Sequence, residues 1–241
     1  MFKNAFRSFL IFFSMILISF AICTHRQLSS CSTFSTAHSR ISIVLDPGHG
    51  GADPGKVGVN HCLEKDINLQ ISFLLQQLLS QNGYSVTLTR SSDCDLSMGK
   101  SNAKRQDLRN RIALIQKAKP DFVISIHQNS YPKEAVCGPQ VFYYQGSTAG
   151  EALAGMLQES LNSTLAPSTL REAKANDSYF LLKKAPTPTV IVECGFLSNY
   201  KEANLLVDSS YQEQVASAIF SGIEDYLAQV SKGLPSPEES E

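Results

Sequence analysis

The sequence predicts a three-layer α/β/α domain around a mostly parallel central sheet. Segments of helical periodicity alternate along the chain with short runs rich in β-branched residues. Several of those runs are apolar at successive positions rather than at every second one. Alternation gives the βαβ order, and a strand without a polar face is a strand covered on both sides.

Each element has its own warrant. Ile41 to Leu45 reads as the first strand. In "EKDINLQISFLLQQLLSQNG", Ile67, Ile71, Leu74, Leu75, Leu78 and Leu79 fall at helical spacing, and Asn82-Gly83 ends the pattern as a helix C-terminus does. "YSVTLTR" is the second strand. After a polar stretch containing Gly99, "DLRNRIALIQKAKP" repeats the helix signal and stops before Pro120. "FVISIH" is the third strand, "QVFYY" the fourth, "GEALAGMLQESLN" a helix, "TVIVECGF" the last strand and "YQEQVASAIFSGIEDYLAQV" a closing amphipathic helix. No internal repeat is visible.

The chain ends stand apart from this pattern. "MFKNAFRS" carries Lys3 and Arg7 and precedes the charge-free "FLIFFSMILISFAIC", the layout of an export signal. The apolar run is short against the roughly 20 residues that span a bilayer. Residues 1–23 are therefore expected to be a signal peptide, cleaved after Ala21, or a retained membrane anchor. Residues 24–39 are Ser/Thr-rich and read as a linker, residues 40–230 as a single catalytic domain, and residues 231–241 as a polar, disordered tail. The expected location is outside the cytoplasm, in the cell envelope. With 241 residues and 43% hydrophobic content the chain suits one cored domain. Its 21 Lys and Arg against 22 Asp and Glu leave no basic field to hold a nucleic acid. The six cysteines form no CxxC pair, so free thiols are expected, with one bridge among Cys62, Cys94, Cys137 and Cys194 as the alternative.

Function is legible at the strand ends. In open α/β sheets ligands bind beyond the carboxyl ends of the strands. The first strand runs through Asp46 into "DPGHGGADPG", which sets His49 among glycines; the third ends at His127; the last carries Glu193; and Glu64 opens the first helix. Two imidazoles and one carboxylate are the protein ligands of a catalytic zinc, whose open fourth position takes water. A further carboxylate outside the ligand set moves the proton. His49, Glu64 and His127 are accordingly the expected ligands, Glu193 the general base, and the glycines the means by which the backbone approaches the metal.

The motifs "VLDPGHGGADPG", "LEKDINLQIS", "VTLTR", "DLRNRIALI", "SIHQNS" and "VIVECGFLSN" occur in that order, and over roughly Ile41 to Ala228 the chain resembles the zinc-dependent N-acetylmuramoyl-L-alanine amidases of the Amidase_3 type. "KSNAKRQDLRNRI", "GPQVFYY" and "YFLLKKAPTPTVIVECGFLSN" look most like the short, germination-specific CwlD-type members. The resemblance implies hydrolysis of the amide between the lactyl group of N-acetylmuramic acid and the L-Ala of the stem peptide. Peptidoglycan is then the substrate, zinc the cofactor, His49, Glu64 and His127 its ligands and Glu193 the catalytic carboxylate. It also implies a role in cell-wall or spore-cortex remodelling, with a protein activator as a second partner. Some members insert a helix that blocks the zinc; here one strand and one helix of ordinary length are expected between Ser130 and the last strand, with no such plug.

Other residues compete for roles. His61, three residues before Glu64, is the rival ligand, with a surface loop as its plain reading. His25 and His38 lie outside the fold. Arg90 is expected to support the structure near the cleft. Lys100, Lys104, Arg105, Arg109 and Arg111 form a basic run that reads as a solvated face. Its sharper reading makes Arg109 a contact for stem-peptide carboxylates. Asn129 beside His127, and Arg171 with Lys174 in a loop, are the other candidate substrate contacts. Two rival functions remain: another zinc hydrolase of the wall, a carboxypeptidase or deacetylase, and a non-catalytic wall-binding protein.

Overall fold

The computed structural model describes residues 41–233 except 98 and 100–102. The signal or anchor at 1–23, the linker at 24–39 and most of the 231–241 tail lie outside the described residues. Six strands form one sheet: β1 (Ser42–Pro47), β2 (Ser85–Leu88), β3 (Phe122–Asn129), β4 (Gln140–Tyr144), β5 (Lys174–Asn176) and β6 (Thr189–Phe196). Their order is β2-β1-β3-β6-β4-β5. The pairs β2–β1, β1–β3 and β3–β6 are parallel, β4 runs antiparallel to β6, and β5 is parallel to β4. The helices are α1 (Glu64–Gln81), α2 (Ala103–Ala118), α3 (Thr148–Leu165), α4 (Phe180–Lys184), α5 (Tyr200–Leu206) and α6 (Ser209–Ser231).

The central strands β1, β3 and β6 are mostly apolar because each face meets a different core. Ile43 and Leu45 of β1, Ile124 and Ile126 of β3, and Val190 and Val192 of β6 point into the main core, with Ile71 and Leu75 of α1, Leu153 and Leu157 of α3 and Ile219 and Ile223 of α6. Val44 and Val123 point the other way, to Ile112 and Ile115 of α2 and Leu181 of α4. Phe142 and Ile191 share that second face with Leu182. Helix α1 ends at Asn82, and Gly83 takes φ 88°, the left-handed exit expected from Asn-Gly.

The strands and long helices occupy the segments their periodicity predicts, with ends shifted by a few residues. Three short elements add to them: β5, α4 and α5. Lys174, expected in a loop, is the first residue of β5. The segment between Ser130 and β6 thus holds two strands and two helices rather than one of each. Cys62, Cys94, Cys137 and Cys194 are all free thiols. Among the described residues no helix is long and apolar enough to cross a membrane.

Candidate metal centre and catalytic carboxylate

Topology brings the strand ends together. Strands β1, β3 and β6 are parallel neighbours, so their carboxyl ends share one edge of the sheet. His127 and Glu193 are paired in register, as are Asp46 and Ser125. Beyond His127 the register slips, with Asn129 opposite Phe196; β6 has one residue more than β3 over this stretch, a bulge of the kind that re-aims side chains beside active sites. Glu64 reaches the same point from the first turn of α1.

His49, Glu64 and His127 offer one ligand atom each, all within 4.8 Å of one another. His49 Nε2 lies 3.2 Å from Glu64 Oε1, and His127 Nδ1 lies 2.9 Å from the same oxygen. At Gly48 and Gly55 the backbone lies so close to the cluster that no side chain fits. A Cβ on Gly48 would fall 2.1 Å from His127 Cε1, and one on Gly55 would fall 2.6 Å from Glu64 Oε2. Gly55 also takes φ 68°, so glycine is required there twice over. His49 itself has φ 62°, a left-handed conformation that costs an L-residue energy and recurs at functional sites. The sequence assigned the backbone freedom to the glycines; the histidine carries part of it.

Two of the three clustered residues, His49 and Glu64, are held from behind. His49 Nδ1 meets Asp53 Oδ2 at 2.9 Å, which leaves Nε2 facing the cluster. Glu64 Oε2 accepts from the Lys56 N–H at 2.7 Å and Oε1 from the Gln128 N–H at 3.1 Å. The Asn68 amide, fully buried, donates to the Gly48 carbonyl at 3.1 Å. Burial works to raise the Glu64 carboxyl, but hydrogen bonds and charge from His127 and His49 outweigh it and hold it well below the usual range. Burial likewise works to lower His49, and Glu64 and Asp53 overcome it and raise the imidazole.

Glu193 is different. Its Oε2 is buried with no hydrogen-bond partner, and burial pushes the carboxyl up to about 7, His127 and His49 opposing and Glu64 adding to the rise. A carboxylate poised near neutrality and free of a structural partner suits proton transfer rather than ligation.

A network below the site fixes the loop. Asp46 accepts from Arg111 Nη1 at 2.7 Å, Thr89 Oγ1 at 2.6 Å and Ser125 Oγ at 2.7 Å. Arg111 also donates to the Pro47 and His49 carbonyls, at 2.8 and 2.7 Å, and to Asp107 at 2.7 Å. Arg111 is only 2% exposed, which corrects the reading of its run as a solvated face: this member is buried because its guanidinium finds Asp46 and two loop carbonyls. Arg90 donates to the carbonyls of Pro47, Gly48 and Lys65 and so supports the same loop.

The cleft over the cluster holds about 390 Å3. Asn129, Lys56, Lys104, Tyr179 and Phe180 border it together with Glu193. Asn129 Oδ1 accepts from the Ser130 N–H, leaving its amide nitrogen for other partners. Arg109 is exposed on α2 and is not part of this lining. Arg171 stands elsewhere, donating to the Cys137 carbonyl at 2.8 Å and lying 4.9 Å over the Phe196 ring, because an apolar ring and a carbonyl take up its guanidinium. His61 is exposed, with φ 66°, and is outside the ligand cluster. Sequence reasoning missed Asp53 and Tyr179. Asp53 had a signal, a carboxylate four residues after a glycine-flanked histidine; Tyr179 had none.

Comparison with known proteins adds an independent finding. A family model described as N-acetylmuramoyl-L-alanine amidase matches residues 43–225. The germination-specific N-acetylmuramoyl-L-alanine amidase of Bacillus subtilis is 41% identical over 197 residues, covering 80% of this chain and 81% of that protein. The structure of the CwlD amidase of Clostridioides difficile, in complex with the GerS lipoprotein, aligns with a TM-score of 0.76 at 38% identity, covering 79% of this chain and 100% of that one. The catalytic domain of CwlV, an amidase from Bacillus (Paenibacillus) polymyxa var. colistinus, aligns with a TM-score of 0.69 at 30% identity, covering 78% and 98%.

Proposed function

This chain belongs to the N-acetylmuramoyl-L-alanine amidase family and is an enzyme acting on peptidoglycan, and on that premise we propose that it is a zinc enzyme in which His49, Glu64 and His127 hold the metal and Glu193 moves the proton. The donor set fits zinc, with two imidazoles and one carboxylate grouped in a cleft that admits substrate. Bound there, zinc supplies Lewis-acid polarisation of the scissile carbonyl and favours ionisation of water. The observation that carries the assignment of the base is the partnerless Glu193 Oε2 beside that cluster.

The chain's own groups do the rest. Glu193 takes a proton from the attacking water as its oxygen bonds to the lactyl carbonyl carbon. When the C–N bond breaks, Glu193 returns that proton to the departing L-Ala nitrogen, leaving a lactyl carboxylic acid and a stem peptide with a free amine. Asp53 keeps His49 in the tautomer that presents Nε2. Asn129 is the substrate contact retained, because it borders the cleft; Arg109 and Arg171 are not carried into it.

The finer context is part of the same proposal. Residues 1–23 export the protein, as cleaved signal or anchor, and 24–39 link them to a catalytic domain at 40–230 that ends before the polar tail of 231–241. The likeness to germination-specific relatives supports action on spore cortex, and the lipoprotein complex of the C. difficile relative supports a protein partner for this chain. The test is digestion of purified peptidoglycan by the chelator-treated protein with and without Zn2+, alongside Glu193→Ala, with products read by mass spectrometry. Intact stem peptides bearing a free L-Ala amine are expected only with metal and only from the unmodified protein. Equal release after chelation, or from Glu193→Ala, overturns the assignment.

A further inference from the structure

Amide hydrolysis places negative charge on the carbonyl oxygen in the transition state, and a preorganised donor aimed at that oxygen is worth a large share of the rate. Apart from the Asn129 amide nitrogen and the exposed Lys56 and Lys104, few groups bordering the cleft have a donor to spare. Arg111 is tied to Asp46, Asp107 and loop carbonyls, and the Gln128 amide to Asn68. Lys104 stands 75% exposed at the mouth.

Tyr179 is placed differently. Ile191 and Glu193 are two residues apart on β6 and project from the same face. Phe142 of β4 is in register with Ile191, and the Tyr179 ring meets the Phe142 ring edge-on at 5.5 Å. Tyr179 therefore packs against the Phe142–Ile191 pair, the pair next to Gln140–Glu193 along that face, and borders the same cleft as Glu193. Its backbone is pinned, since Asn176 Oδ1 accepts the N–H groups of both Ser178 and Tyr179 at 2.8 Å. The residue is 37% exposed and borders the cleft, and among the described residues its hydroxyl makes no hydrogen bond.

We propose that Tyr179 is a catalytic residue whose hydroxyl donates a hydrogen bond to the scissile carbonyl oxygen as it becomes an oxyanion. No proton is transferred from the phenol; the donor strengthens its hydrogen bond as charge builds and relaxes when the amine leaves. Burial, with the charges of Glu193 and Glu64, pushes the phenol up, so it remains a donor throughout the working pH range. The proposal rests on the amidase reading with Glu193 as base.

The experiment compares Tyr179→Phe, Tyr179→Leu and Glu193→Gln with the unmodified protein. Four quantities are measured: kcat and KM on a defined muropeptide, the Kd of a phosphinate mimic of the tetrahedral species, and zinc content. Tyr179→Phe is expected to retain zinc and KM, to lose kcat on the order of 100-fold, and to bind the phosphinate weaker by a similar factor. Unchanged kcat and phosphinate Kd in Tyr179→Phe overturn the proposal. So does a loss confined to KM and seen only in Tyr179→Leu, which would make the ring a platform for substrate. An active Glu193→Gln would instead sink the assignment of the base, whatever Tyr179→Phe does.

Discussion

Replacing Gly48 by alanine tests the metal centre with one methyl group. Gly48 follows β1, and its N–H donates to the Ile126 carbonyl at 3.0 Å, which seats its Cα directly against the His127 ring. The new Cβ would lie 2.1 Å from Cε1, 2.3 Å from Nε2 and 2.7 Å from Nδ1, whereas ordinary contact begins at 3.4 Å. To clear 2.1 Å to 3.4 Å the ring must recede by about 1.3 Å. Metal–ligand distances tolerate deviations of about 0.2 Å, so a shift of that size removes His127 from the proposed ligand set. Gly48 does not have a positive φ, so the effect is steric and not a backbone penalty. Zinc affinity is expected to fall by about 100-fold or more, beyond the usual effect of disturbing a ligand's supporting group. The assay is competition for zinc against a chromophoric chelator, with circular dichroism to verify the fold. Gly155→Ala, inside α3 with open space around its Cβ position, is the control and should be neutral or slightly stabilising. If Gly48→Ala binds zinc as tightly as the unmodified protein, His127 is not a ligand in the orientation seen, and the reasoning fails.

Two further outcomes follow from the groups behind the ligands. Asp53→Ala frees the His49 ring from its 2.9 Å partner and should weaken zinc binding by about 10- to 100-fold in the same competition assay, with Asp53→Asn recovering part of the loss; an unaltered affinity would remove Asp53 from the site. Burial works to raise Asp46, but Arg111, Thr89 and Ser125 outweigh it and hold it at about 2, below its ordinary 3.8. A carboxyl lowered on folding stabilises above its unfolded value, and the effect is lost as pH falls through the folded one. The stability gap between the unmodified protein and Asp46→Asn, read from urea midpoints, should therefore be constant above pH 5 and narrow by about 2 kcal/mol between roughly pH 4 and pH 2. A gap that ignores pH over that interval would show that the ionic part of the Asp46–Arg111 contact is unimportant.

The grouping of His49, Glu64, His127 and Glu193 was legible because each occupies a position with a general meaning: beyond a strand end, near the carboxyl end of a strand, or in the first turn of a helix. Their convergence needs β1, β3 and β6 to be parallel neighbours with Glu64 reaching over from α1; alternating strands and helices imply the parallel sense, while the order that sets β6 beside β3 is seen only in the sheet. Arg111 was illegible for the opposite reason. Its partner Asp46 is 65 residues away, and a run of five basic residues gives no local sign that one of them turns inward beside Ile112 and Ile115. The short elements β5, α4 and α5 have three, five and seven residues, too few for a period to show. Tyr179 was hidden with α4, since its proximity to Glu193 depends on the pairing of β4 with β6, an antiparallel exception in the sheet.

The two faces of the sheet are unequal, and the inequality separates durability from chemistry. Behind it lie α1, α3 and α6, with 18, 18 and 23 residues, enclosing most of the buried apolar side chains. In front lie α2 and the five-residue α4, over two small apolar clusters, and the cleft borders both helices. Cohesion concentrated at the back means that a change at the exposed side chains of α4, Phe180, Lys183 and Lys184, or at the start of α2 forfeits little packing. Such a domain has latitude to vary the wall that meets its substrate while the frame that holds the proposed metal ligands is left alone, so divergence in substrate preference is expected to accumulate on the thinner layer.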